Sequence, residues 1–195
     1  MHTEHGHEIE IDASRWHDPA DAVDLRVLAR LAPPVLDIGS GPGRMLVALA
    51  AQGLPASGID VCPRAVAEAT ARGGCAVLAD VFGPVPSAGT WEGALLLDGN
   101  VGIGGDPVRL LERVAELLTP NGRLVVEAAA PTDTTSGHRV RLTHRDGSTD
   151  WFPWAVVSVT TLPEYAQAAG WRVDETWMDD RRWFVCLVRA AGEPT

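Results

Sequence analysis

Apolar residues along this chain fall into two alternating rhythms. Val35-Leu36-Asp37-Ile38, the run ending in Gly58-Ile59-Asp60, Cys75-Ala76-Val77-Leu78-Ala79, Gly93-Ala94-Leu95-Leu96-Leu97 and Arg123-Leu124-Val125-Val126-Glu127-Ala128 are short and nearly continuous, as strands buried on both faces are. Between them the apolar positions recur at helical spacing. Met45 to Ala50 is one such run. Leu110, Leu111, Val114, Leu117 and Leu118 share a helix face behind Asp106-Pro107, an acid at the cap with proline in the first turn. That helix is expected to stop before Thr119-Pro120-Asn121-Gly122. Short buried strands alternating with amphipathic helices predict a parallel α/β sheet.

Two later stretches break the alternation. In His138-Arg139-Val140-Arg141-Leu142-Thr143-His144-Arg145, period two places Arg139, Arg141 and Arg145 on one strand face and Val140, Leu142 and His144 on the other. Asp146-Gly147 is a turn signal, and Asp150 to Val157 returns as a second strand, confined by Pro153 to an edge or a bulge. A hairpin over 137–158, inserted after the fifth strand, is the expectation. Thr161-Leu162-Pro163-Glu164 then has capping-box spacing, and its helix ends at Gly170. Trp171 to Met178 and Trp183 to Arg189, joined by Asp179-Asp180-Arg181-Arg182, read as an antiparallel pair.

The most informative segment is the turn after the first strand of the parallel series, Asp37-Ile38-Gly39-Ser40-Gly41-Pro42-Gly43-Arg44. A strand that stops at glycines and opens into a helix lets a ligand approach the backbone closely, and the helix start adds free N–H groups. Asp60 puts a second carboxylate at the neighbouring strand tip, where such folds hold the two hydroxyls of a ribose. A dinucleotide loop would need G-x-G-x-x-G, and its third glycine would fall on Arg44. Asp37 would also repel a pyrophosphate and suits a ligand that offers a positive amino group.

At these residues the chain resembles the class I S-adenosylmethionine-dependent methyltransferases, whose first motif is an acid followed by G-x-G-x-G. The resemblance runs from about Asp18 to Arg189 and includes the L-x-P-x-G-x-L style of the turn before the fifth strand. It implies a doubly wound, mainly parallel seven-stranded sheet with helices on both faces and the last strand antiparallel. It implies S-adenosyl-L-methionine as cofactor, with Asp37, Gly39, Ser40, Gly41, Asp60, Val61, Asp80, Val81, Asp98 and Gly99 around it, and Asp80 on the exocyclic amine of adenine. Arg15, in Arg15-Trp16-His17, is expected either to pair with the methionine carboxylate from a segment folded over the cofactor or to lie in solvent while Trp16 packs on the sheet edge.

Composition narrows the alternatives. At 195 residues the chain can bury a full core, and no linker or repeat divides it, so one domain over 1–195 is expected. Cys62, Cys75 and Cys186 are an odd count without metal-ligand spacing, and no signal peptide or long apolar run is present, which points to a cytoplasmic protein without a membrane segment. All 16 basic residues are arginine, which excludes a Walker A loop, pyridoxal chemistry and Schiff-base lysines. No G-x-S-x-G elbow occurs. His2, His5 and His7 among Glu4 and Glu8 allow a metal or a free tail, the tail being the expectation, so residues 1–17 read as a flexible segment or a cofactor lid.

The acceptor half carries weaker signals. The net charge of −10 argues against a nucleic-acid partner, although the arginines of the hairpin form a local cluster. Trp151, Phe152 and Trp154 suit a pocket for a flat small molecule, a single-strand platform or plain edge packing. Asn100, His144 and Trp154 are the candidates for acceptor chemistry, with His138 a further possible base; Asp98-Gly99-Asn100 is equally a good turn sequence. The reading is a methyltransferase acting on a small molecule. The rivals are an RNA or protein methyltransferase, a module that binds the cofactor without transfer, and a nicotinamide oxidoreductase.

Overall fold

A computed structural model describes residues 1–6, 9, 13–144 and 147–190, the side chains of 13, 14 and 144 excepted. In chain order the elements are β1 (His2–Thr3), α1 (Ala22–Leu28), β2 (Val35–Ile38), α2 (Arg44–Ala51), β3 (Ala56–Asp60), α3 (Pro63–Ala71), β4 (Ala76–Leu78), β5 (Trp91–Leu96) and α4 (Pro107–Leu117). There follow β6 (Leu118–Ala128), β7 (Ser136–Arg141), β8 (Thr143–His144), β9 (Gly147–Ser148), β10 (Phe152–Val156), α5 (Leu162–Ala168), β11 (Trp171–Asp179) and β12 (Arg182–Arg189).

The main sheet has the order β11-β12-β6-β5-β2-β3-β4. Pairs from β6 to β4 are parallel, and β12 runs against both β6 and β11. The last strand is therefore the reversed one, and it lies inside the sheet. Period two explains the layering. Leu36, Ile38, Ala94, Leu96, Leu124, Val126, Val185 and Leu187 face α4 and α5 in one buried cluster. Val35, Leu95, Leu97, Val125, Phe184 and Cys186 face α1 and α2 in the other. Burying a side chain of this size contributes about 1.5–3 kcal/mol, so both layers bind tightly to the sheet.

Local expectations meet tertiary competition at two places. Leu118 leaves the helix and starts β6 opposite Trp91, with extended backbone at φ −92° and ψ 157°. Thr161 makes no cap, because its hydroxyl is taken by the Ser158 carbonyl and by Thr135. The capping box lies elsewhere, at Asp21, whose side chain accepts from the Asp24 N–H while Asp24 accepts from the Asp21 N–H.

The hairpin is built from β7 and β10, paired so that Trp154 lies opposite His138. Pro153 costs nothing there, since β10 ends the order β1-β7-β10. The N-terminal residues add the third strand, with His2 opposite Arg141 and Thr3 opposite Val140. His7, Glu8, Arg145 and Asp146 lie outside the described residues, as does the side chain of His144. No described helix is long and apolar enough to cross a membrane, and no metal-binding group of His, Cys, Asp or Glu occurs among the described residues.

Candidate functional site

Gly41 sits at φ +52°, and a Cβ added there meets nothing within 4 Å, so the loop turns through glycine beside open space. Its N–H donates to Asp60 Oδ2 at 2.9 Å, and the Cys62 N–H donates to Oδ1 at 2.8 Å. Both oxygens of Asp60 keep further acceptor capacity at the tip of β3. Asp80 Oδ1 accepts from the Phe82 N–H at 2.9 Å in a surface turn. Val61 is 68% exposed, a large apolar side chain left open beside Asp60.

Three of the expected site residues point elsewhere. Ser40 is buried with its Oγ toward β3, so close that a Cβ on Gly58 would lie 2.5 Å from it. Val81 is buried in the core, and its carbonyl accepts from Arg113 Nε. Asn100 donates to the carbonyls of Ile38 and Gly39 at 2.9 and 3.0 Å and so staples the glycine loop. Its amide N–H groups are committed to backbone and are unavailable to an acceptor.

Asp37 shares the strand face of Val35, which looks toward α1 and α2, and there it meets a buried ionic network. Burial pushes its carboxyl up to about 7, against the pull of Arg44 and with the repulsion of Asp98, Asp60 and Asp24 added. Asp24 on α1 is 0% exposed and stands within ion-pair distance of three guanidiniums, at 3.1 Å from Arg15, 3.3 Å from Arg44 and 2.9 Å from Arg182. Arg44 Nη2 donates to Asp98 at 2.8 Å. Arg182 forks onto both oxygens of Glu127 at 2.8 and 2.7 Å. Burial raises the pKa of Asp98, with Arg44 opposing. Burial works against the Arg182 charge, and Glu127 and Asp24 more than offset it.

The sequence assigns no site role to Asp24, Glu127 or Arg182. A signal existed: an acid inside the apolar face Val23, Val27, Leu28, and opposite charges closing the adjacent strands β6 and β12 on one sheet face.

A cavity of about 690 Å³ opens on the Asp98, Glu127, Arg182 and Arg15 side of this network. Asp98, Gly99 and Val101 line it from the tip of β5, Glu127 to Ala129 from the end of β6, and Trp154 to Val157 from β10. Ile9, Arg15 and Trp16 close it from the N-terminal side. The small sheet is held against the β5 tip by close backbone approach. Ile103 bridges Trp154, and any Cβ on Gly102 would overlap the Ala155 carbonyl. Trp154 is thus brought together with Asp98, Gly99 and Arg15, whereas Asn100 lies behind the loop.

The sequence model of a methyltransferase domain matches residues 14–176. A search of curated proteins finds no match. Among solved structures, a methyltransferase from Bacteroides fragilis in complex with S-adenosyl-L-homocysteine has a TM-score of 0.79 at 23% identity, covering 97% of this chain and 86% of that one. The CcbJ methyltransferase from Streptomyces caelestis gives 0.66 at 18%, covering 87% and 88%. A 1,6-didemethyltoxoflavin-N1-methyltransferase from Burkholderia thailandensis gives 0.65 at 20%, covering 92% and 80%. The chain belongs to the methyltransferase domain family, and its fold is that of the S-adenosyl-L-homocysteine-bound enzyme from Bacteroides fragilis.

Proposed function

We propose that this S-adenosylmethionine-dependent methyltransferase acts on a small molecule bound between the β5 tip and the small sheet. The observation that carries the reading is the cavity of about 690 Å³, which has Asp98 and Gly99 on one wall and Trp154 on another.

The residues present fit the cofactor. Gly41 leaves the backbone bare beside open space, Asp60 offers a carboxylate to a diol, and Asp37 suits an ammonium. Arg15 Nε is buried without a hydrogen-bond partner, and the residue lines the cavity where a carboxylate would add to its contacts. Val61 would lie against the adenine. When bound, S-adenosylmethionine supplies an electrophilic methyl whose departure leaves a neutral thioether.

The protein then has to orient the acceptor and exclude water. Trp16 and Trp154 are the aromatic walls for that purpose. Glu127 is occupied by Arg182, and Asp98 by Arg44. Asp133 lines the same cavity and makes no ion pair among the described residues, so it is the carboxylate available to take a proton from a hydroxyl acceptor. Arg139 and Arg141 are exposed, and neither lines the cavity. A polymer held by those arginines would lie away from the cavity, which favours the small molecule.

The test is calorimetric titration with S-adenosylhomocysteine and, separately, NAD, followed by transfer of labelled methyl to metabolite pools, RNA and protein. Binding of S-adenosylhomocysteine alone with label entering small molecules is expected. NAD binding would overturn the cofactor assignment, and label entering RNA or protein would overturn the acceptor class.

A further inference from the structure

We infer that Arg182 is a positioning residue that acts through Glu127 on the backbone of Asp98; this rests on the reading that donor and acceptor meet at the β5 tip. Asp98 is a non-glycine residue at φ +52°, a left-handed conformation that persists only where its surroundings hold it. Three contacts bear on it: its N–H donates to Glu127 Oε2 at 3.0 Å, its carboxylate accepts from Arg44 at 2.8 Å, and Arg182 Nη2 stands at the longer distance of 4.0 Å from its Oδ1, so the short link from Arg182 runs through Glu127 to the backbone N–H. Glu127 is in turn fixed by the fork of Arg182, whose third nitrogen reaches Asp24 at 2.9 Å.

The delivery of Arg182 is itself strained. Asp180 and Arg181, the turn between β11 and β12, stand at φ +46° and +63°; aspartate suits the first of these positions, but arginine takes the second, where glycine is favoured. That turn brings Arg182 to the wall of the cavity with a side chain only 10% exposed. Left-handed non-glycine residues at the two ends of one charged relay, Asp180 and Arg181 at one end and Asp98 at the other, mark it as a device that sets local geometry. Without the fork, the Glu127 carboxylate is free to turn, the Asp98 N–H loses its acceptor, and the Asp98-Gly99 backbone relaxes away from the cavity.

The experiment compares the full-length wild type with Arg182→Lys, Glu127→Gln and the double variant. Lysine keeps the charge and loses the fork. The readouts are S-adenosylhomocysteine affinity by calorimetry, the amide resonances of Asp98 and Gly99, and thermal melting. Each single variant is expected to weaken affinity about tenfold and to move both amide resonances, and the double to be no weaker than the worse single, as for two residues in one chain of contacts. Unchanged affinity, losses that multiply in the double, or failure of both single variants to fold would overturn the inference, the last because the relay would then serve stability alone. A wild type that does not bind S-adenosylhomocysteine would instead strike the cofactor site itself.

Discussion

The wall of the site around the glycine loop and the wall formed by the small sheet are made from different lengths of chain. The loop is local: Gly39 to Gly43 follow β2 directly, and the partner that closes them, Asp60, lies at the tip of the next strand. The small sheet gathers His2–Thr3, Ser136–Arg141 and Phe152–Val156, and it reaches the β5 tip through one isolated bridge and the bare Gly102. A site made of backbone tolerates almost no change, since its contacts cannot be moved to another side chain. A site made of side chains on an added sheet can change its ligand while the core stands. The two walls should therefore answer differently to substitution.

The largest effect is expected at Gly41→Val. The left-handed φ of +52° is unfavourable for valine, and its branches would fill the open space beside Asp60, so S-adenosylhomocysteine affinity should fall below calorimetric detection. Normal binding would show that the loop is not the cradle. Asp60→Ala comes next. Loss of a charge-assisted pair of hydrogen bonds should weaken the same affinity by about 2–4 kcal/mol with the melting curve still cooperative; an unchanged Kd would remove Asp60 from the site.

A smaller effect is expected from pH. In the free protein, burial raises Asp37 from 3.8 to about 7, so its contribution to stability is full below pH 3.8 and is lost as pH rises through about 7. A ligand ammonium prefers the ionised form, so S-adenosylhomocysteine affinity should rise about tenfold between pH 6 and 8, with proton release below neutrality seen as a buffer-dependent heat. Asp37→Asn should flatten that profile; a slope that survives the substitution belongs to another group. The smallest change in cofactor affinity is predicted on the other wall. Trp154→Ala should stay within about threefold, under 1 kcal/mol, in affinity for S-adenosylhomocysteine and yet impair turnover. A fully active Trp154→Ala would take the small sheet out of the acceptor site.

The glycine loop was legible because its chemistry is written in adjacent residues: a strand, an acid, three glycines and a helix start leave little choice of backbone. Asn100 shows the limit of such reading. As a turn residue next to Asp98 it had the look of an acceptor contact, and only the three-dimensional arrangement spends its amide on Ile38 and Gly39. Ser40 makes the same point, since a strand-to-helix turn does not say whether the hydroxyl faces the ligand or β3.

The alternation of short strands and helices follows from periodicity, and the antiparallel pairing of the last two strands from the short turn between them, both of which act over a few residues. The ionic centre is of another kind. Asp24 and Arg182 are 158 residues apart, and Arg182 and Glu127 are 55 apart. Nothing local to α1, β6 or β12 obliges those charges to meet. They meet because the sheet order sets β12 beside β6 and the apolar face of α1 docks over both, and a charge buried by that docking must find its opposite or remain unpaired at high cost.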